Sequence, residues 1–166
     1  MIWRDGCNYW RIGEEMRFLL KWLDLPPIWL AFFGVTAWGQ SRLLPAFSFG
    51  KWADWVGTAL VGAGVLIAVS AILQFFGNRT SVIPRRTPRT LIRTGIYRLT
   101  RNPIYLADAM VLGGLILRWD AVLSVVLVPV FMAVIHRRFI KGEEMRIREE
   151  FGEAFDAYAS RVRRWL

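Results

Sequence analysis

From Val56 to Gly77 the chain runs for 22 residues without a charged side chain. As a helix this stretch is about 33 Å long, enough for a bilayer hydrocarbon core of roughly 30 Å, so it predicts a transmembrane span. The whole chain follows the same bias. Its 166 residues are 55 % hydrophobic with a mean hydropathy of +0.34, the size of one domain and too apolar for a soluble basic one. The net charge of +9 and pI of 10.8 therefore point to a membrane surface and not to nucleic acid.

Two further apolar blocks extend the pattern. Residues 27–44 form a second candidate span, opened by Pro26 and Pro27, which suit a helix start, and closed by Arg42 and Pro45. Trp29 and Trp52 suit the interfacial belt. The third block, Ile104 to Ile135, is about 48 Å as one helix and is interrupted by Arg118, Trp119 and Asp120. It reads as a tight hairpin with short arms of about 14 or 15 residues, close to 21–23 Å each. The expected fold is all-α: a polytopic membrane helix bundle of about four transmembrane helices, with a C-terminal helical hairpin.

Charge sets the expected orientation. Residues 78–102 hold seven Arg (79, 85, 86, 89, 93, 98 and 101) and no acid, whereas residues 45–51 hold only Lys51. The positive-inside rule puts the Arg-rich loop in the cytoplasm, and four spans put both termini there too. The eight Lys and Arg from Arg137 onward agree. In the tail, Phe151, Phe155, Tyr158, Val162 and Trp165 recur at helical spacing; at the other end Ile12, Met16, Leu19 and Leu23 do the same. Both ends are expected as interfacial amphipathic helices. The single domain then divides into an interfacial segment (1–25), two spans (26–77), the Arg-rich loop (78–102), the hairpin (103–136) and a C-terminal helix (137–166). Residues 1–24 lack the apolar region of a secretory signal peptide.

Several chemistries drop out early. One cysteine, Cys7, makes no intrachain disulfide and no Cys-based zinc site, and one histidine, His136, makes no multi-His metal centre. Gly57, Gly62 and Gly64 superficially resemble a nucleotide loop, but they lie inside an apolar helix and not at a strand-to-helix turn. Close helix packing through small residues is their expected role. Asp108, one turn into the hairpin, is an ionisable residue at membrane depth and so a candidate functional group, with Arg118, Arg138 or a substrate amine as partner.

Immediately before the hairpin stands GIYRLTRNPIY, Gly95 to Tyr105, and after it Glu143-Glu144, two acids against the prevailing positive charge. Taken alone, the loop reads as an anionic-headgroup clamp and the acids as a helix start or an ion pair with Arg137 or Arg138. A hairpin brings the two ends of residues 103–136 together, so loop and acids can share one site.

The order LIRTGIYRLTRNPIY, apolar hairpin, GEEMRIREEFGEAFDAYASRVRRWL resembles the isoprenylcysteine carboxyl methyltransferase and phospholipid methyltransferase superfamily. That superfamily's pattern runs G-x-Y-x-x-x-R-H-P-x-Y, hairpin, E-E-x-x-L, F-G-x-x-Y-x-x-Y, and the resemblance covers residues 83–166. It implies an integral membrane methyltransferase of the small bacterial type, in the inner membrane, using S-adenosylmethionine without a Rossmann domain. Gly95, Tyr97, Arg98, Arg101, Asn102, Pro103 and Tyr105 are then expected in the cofactor-binding loop, with Glu143 and Glu144 reaching the cofactor from the far end of the hairpin. Arg138 stands near a position where relatives place a substrate-facing Arg, and with Asp108 it is the candidate for the reaction itself. The family's His before Pro is Asn102 here, which hydrogen-bonds but does not transfer protons near neutral pH. Ile147 and Phe155 replace the family's Leu and first Tyr.

S-adenosylmethionine presents a carboxylate for Arg98 or Arg101, ribose hydroxyls and an ammonium for Glu143 or Glu144, and a sulfonium for the faces of Tyr97 or Tyr105. Its partners are expected to be the bilayer and a lipophilic or small-molecule acceptor: an isoprenylcysteine-like carboxylate, a phospholipid amine or a thiol. The alternative is a non-catalytic adaptor that binds anionic headgroups through the Arg-rich loop.

Overall fold

The computed structural model describes residues 25–44, 47–78 and 90–166, and these fold as helices and turns. Helix α1, Pro26–Leu43, carries prolines at its first positions, where a missing N–H costs no hydrogen bond and the fixed φ suits the helix. Helix α2, Lys51–Gly77, is the charge-free run extended by one turn at its start, where Asp54 lies favourably near the positive end of the helix dipole. Pro103 opens helix α3, Pro103–Arg118.

A turn at Trp119–Ala121 then reverses the chain, as the interruption at Arg118–Asp120 predicts. Asp120 adopts a φ of 51° there, a conformation that Asp tolerates better than most residues. Its carboxylate accepts from Ser48 Oγ (3.1 Å) and Phe49 N (2.9 Å), tying the α1–α2 link to the hairpin turn. At the same end Gln40 Oε1 accepts from the Ser124 amide and hydroxyl, and Arg118 donates to Thr58.

The return arm differs from expectation. It is not a short leg ending at residue 136 but a continuous helical stretch, Val122–Phe151. A 3₁₀ turn (Val122–Val126) leads into α4, Leu127–Ile135, and a π turn (His136–Ile140) into α5, Lys141–Phe151. Hydropathy falls after Ile135, but backbone hydrogen bonding does not depend on apolar side chains, so the helix carries on through HRRFIKGEE. The tail also departs from one amphipathic helix. Gly152, at φ 50° and ψ −125°, a combination that favours glycine, separates α5 from α6, Glu153–Ala159, and the last residues leave the helix. The amphipathic pattern at Ile12 to Leu23 and most of the Arg-rich loop lie outside the described residues.

The helices pack through small residues. A Cβ on Gly57 would lie 2.6 Å from the Gly114 carbonyl, one on Gly114 equally close to the Gly57 carbonyl, and one on Gly64 2.9 Å from the Ala107 carbonyl. Gly57 and Gly64 thus let α2 and α3 approach closely, as read from the sequence, while Gly62 meets nothing within 4 Å. The main core joins Phe33 of α1, Leu112 and Ile116 of α3, and Phe131, Ile135 and Phe139 of the return arm, with Phe33 and Phe131 edge to face at 5.5 Å.

Outward, α2 exposes Trp55, Leu66, Val69, Leu73 and Phe76, so it is apolar on both its packed and its open faces. Two helical stretches, Lys51–Gly77 and Val122–Phe151, are long and apolar enough to cross a membrane. The four legs alternate in direction. Residues 47–50 and 118–124 gather with the end of α1 at one end; the start of α1, the end of α2, the start of α3 and the 136–165 region gather at the other.

Candidate functional site

The second end collects most of the polar residues singled out above. Gly95 to Arg98 form a 3₁₀ turn that is braced from α2. The Gln74 amide donates to Thr94 O (2.6 Å) and accepts from Ile96 N (3.0 Å). Gly95 sits at φ +56°, a conformation that favours glycine, and a Cβ there would push that same amide out of place. Tyr97 is buried edge-on against Phe75 of α2 at 5.9 Å, and its carbonyl accepts the Tyr158 hydroxyl at 2.7 Å. Burial raises the hydroxyl pKa of both tyrosines, that of Tyr158 to about 12, so both stay neutral donors at physiological pH.

Thr100, fully buried, and Asn102 turn the chain into α3. Thr100 Oγ1 donates to Arg164 O (2.8 Å) and accepts from Asn102 N (3.2 Å), while Asn102 Nδ2 donates to the same Arg164 carbonyl (3.2 Å). Pro103 then starts α3 and Tyr105, two residues on, packs against the return arm.

Here the two ends of the hairpin meet. Tyr105 Oη donates to Glu143 Oε1 at 2.9 Å, and its ring packs on Phe139. Arg101 Nη2 lies 3.3 Å from Glu144 Oε1, with both side chains mostly shielded from solvent at 12 % and 13 % exposure. The Arg101 guanidinium also lies 5.9 Å from the Phe155 ring centroid. Glu143 and Glu144 lie in the first turn of α5, directly after the π turn at His136–Ile140.

Other candidates are placed differently. Arg98 is exposed and makes no ion pair or hydrogen bond among the described residues. Arg138 lies over the Trp29 ring of α1 at 5.2 Å. Asp108 is half-buried one turn beyond Tyr105, on the same side of α3. The suggested Asp108–Arg118 pair does not form: ten residues along one helix separate them by about 15 Å, and Arg118 bonds Thr58 at the opposite end. Nor do Arg137 and Arg138 account for Glu144, whose ion-pair partners are Arg101 and Arg164.

Arg164, Thr100 and Gln74 were missed as site-builders by the sequence reading, because their bonds are long-range. Tyr158 stood in the F-G-x-x-Y-x-x-Y pattern and in the helically spaced stripe of the tail, and these were the signals for it.

The donor set is mixed. Two carboxylates face two guanidinium groups, an amide and a phenol, beside aromatic rings. Arg101 Nε is buried with no hydrogen-bond partner among the described residues, a donor left over at the acidic pair. No group of three or more His, Cys, Asp or Glu that suits a metal ion occurs among the described residues. Such a site suits a zwitterionic ligand with both an anionic group and cationic or hydroxyl donors.

Residues 52–154 match the family model for phospholipid methyltransferases, a stretch that takes in α2, the Gly95–Asn102 loop, the hairpin and Glu143-Glu144. No curated protein and no solved structure matches the chain.

Proposed function

The chain belongs to the phospholipid methyltransferase family, and on that premise we propose that it is an integral membrane methyltransferase that takes its methyl group from S-adenosylmethionine at the Tyr105–Glu143 and Arg101–Glu144 junction. The observation that carries this reading is the Tyr105–Glu143 hydrogen bond. It brings the loop before the hairpin and the acids after it into one site. Arg101, whose buried Nε has no partner among the described residues, is the guanidinium assigned here to the ligand carboxylate. Glu143 and Glu144 suit the ammonium and ribose hydroxyls, and the Tyr105 ring lies beside them for a sulfonium. Asn102 and Pro103 set the turn on which these groups sit, and Gly95 and Tyr97 brace it.

When bound, S-adenosylmethionine supplies an electrophilic methyl group on a sulfonium. The chain's share is alignment and exclusion of water, which suffices for an in-line displacement by a good nucleophile. Four spans with the site end in the cytoplasm let a polar cofactor enter from water and an apolar acceptor from the bilayer. Glu143 and Asp108 make the lining acidic on the α3 side, which favours an amine acceptor over a carboxylate. An ammonium must lose a proton before it attacks, and in this reading Asp108, one turn from Tyr105 on α3, is the base that takes it.

Transfer of labelled methyl from S-adenosylmethionine by the purified protein to phospholipid amines, prenylcysteine analogues and thiols tests the reading. Label in an acceptor, greatest for the amine, is the expected result. Binding of anionic vesicles without label transfer to any class would support the adaptor and overturn the enzyme.

A further inference from the structure

The family match ends at residue 154, yet the acidic pair is held partly by residues beyond it. After α6 the chain turns back along the Gly95–Asn102 loop, and Arg163 O accepts the Arg101 amide at 2.9 Å. Arg164 is where three parts of the site meet. Its carbonyl accepts from Thr100 Oγ1 and Asn102 Nδ2, so its main chain is bonded to the loop. Its side chain reaches α5 instead: Nε donates to Glu144 Oε1 and Oε2 at 3.0 Å each, and Nη2 to Oε2 at 2.8 Å. The neighbouring Trp165 packs against the main core, which anchors this tail.

Arg101 alone would leave Glu144 loosely oriented, because one Nη2 contact at 3.3 Å fixes a distance but not the carboxylate plane. The Arg164 fork addresses both oxygens and so fixes position and plane together, a geometry that a lysine ammonium does not reproduce.

We infer that Arg164 is a positioning residue: its guanidinium orients the Glu144 carboxylate for the ligand while its carbonyl ties that orientation to the Thr100–Asn102 turn. The inference rests on the reading of this site as the S-adenosylmethionine site. Arg164 does not itself touch the ligand; it acts through Glu144, and the ligand's share of Glu144 is the edge that the fork leaves open.

The test is a double-mutant cycle on the full-length protein, read by calorimetric titration with S-adenosylhomocysteine. Arg164→Ala should weaken binding about tenfold, and Arg164→Lys by less. In a Glu144→Gln background, Arg164→Ala should cause no further loss, because the carboxylate it orients is gone. A purely structural role for the tail would weaken binding equally in both backgrounds and overturn the inference, as would unchanged affinity in Arg164→Ala. If Arg164→Ala does not fold, the same cycle run with Arg164→Lys gives the same discrimination. Failure of the wild type to bind defeats the cofactor reading itself, whereas wild-type binding with an additive cycle defeats only the role of Arg164.

Discussion

Tyr105 Oη and Glu143 Oε1, 38 residues apart in the chain, meet at 2.9 Å and close the hairpin at the end where the basic loop lies. The bond is charge-assisted and part-buried, so its loss leaves a carboxylate short of a donor. Tyr105→Phe is expected to lower stability by about 1.5–3 kcal/mol, seen as a lower thermal midpoint in detergent. An unchanged midpoint would mean that the hairpin ends are held by other contacts.

The small-residue seam makes a paired prediction. Gly57→Ala puts a methyl group 2.6 Å from the Gly114 carbonyl and 2.9 Å from Arg118 Cγ, so α2 and α3 must separate. A loss of about 1–3 kcal/mol is expected. Gly62→Ala meets nothing within 4 Å on the same helix and should be neutral or stabilising by about 0.5–1 kcal/mol. Thermal midpoints of the two variants decide it, since equal effects would contradict the packing.

Alkaline pH should undock the tail. Burial raises Tyr158 to about 12 and Tyr97 in the same direction, whereas both titrate near 10 when unfolded. Their folded pKa values lie above the unfolded ones. Their contribution is therefore complete below pH 10 and is lost as the pH rises from about 10 towards 12. A pH titration of thermal stability should show that fall, and Tyr158→Phe should make it shallower. The same variant lacks the bond to the Tyr97 carbonyl and should be less stable at neutral pH by about 1 kcal/mol.

Four spans predict opposite sides for the two ends of the bundle. In a Cys7→Ser background, Ser48→Cys and Ser160→Cys should react with an impermeant thiol reagent from opposite faces of sealed vesicles. Labelling from the same face would defeat the topology.

What the sequence made legible follows from the range of each interaction. The α2 span is a local property of one charge-free run, and its small residues announced close packing; Gly57 and Gly64 take part in it. Pro26 and Pro27 marked a helix start because proline acts on its own backbone. The hairpin turn was visible at Arg118–Asp120 because charged residues interrupt the apolar block there. Beyond Ile135, hydropathy misled: the return arm continues as helix through charged residues, two of which, Glu143 and Glu144, bond across to the loop before α3 and to the tail. The tail misled in the other direction. Its 4-3-4-3 spacing looked like one helix, although Gly152 inside it was a sign of a break. That Arg164 would cross to Glu144, 20 residues earlier, and not remain on a solvated helix face has no local signature at all.

The most direct test of the account is calorimetric titration of S-adenosylhomocysteine into the detergent-purified wild-type protein and Glu144→Ala. Saturable binding by the wild type is expected, at least about tenfold weaker in the variant at unchanged helical content. No binding by the wild type at millimolar ligand, or equal binding by both proteins, would contradict it.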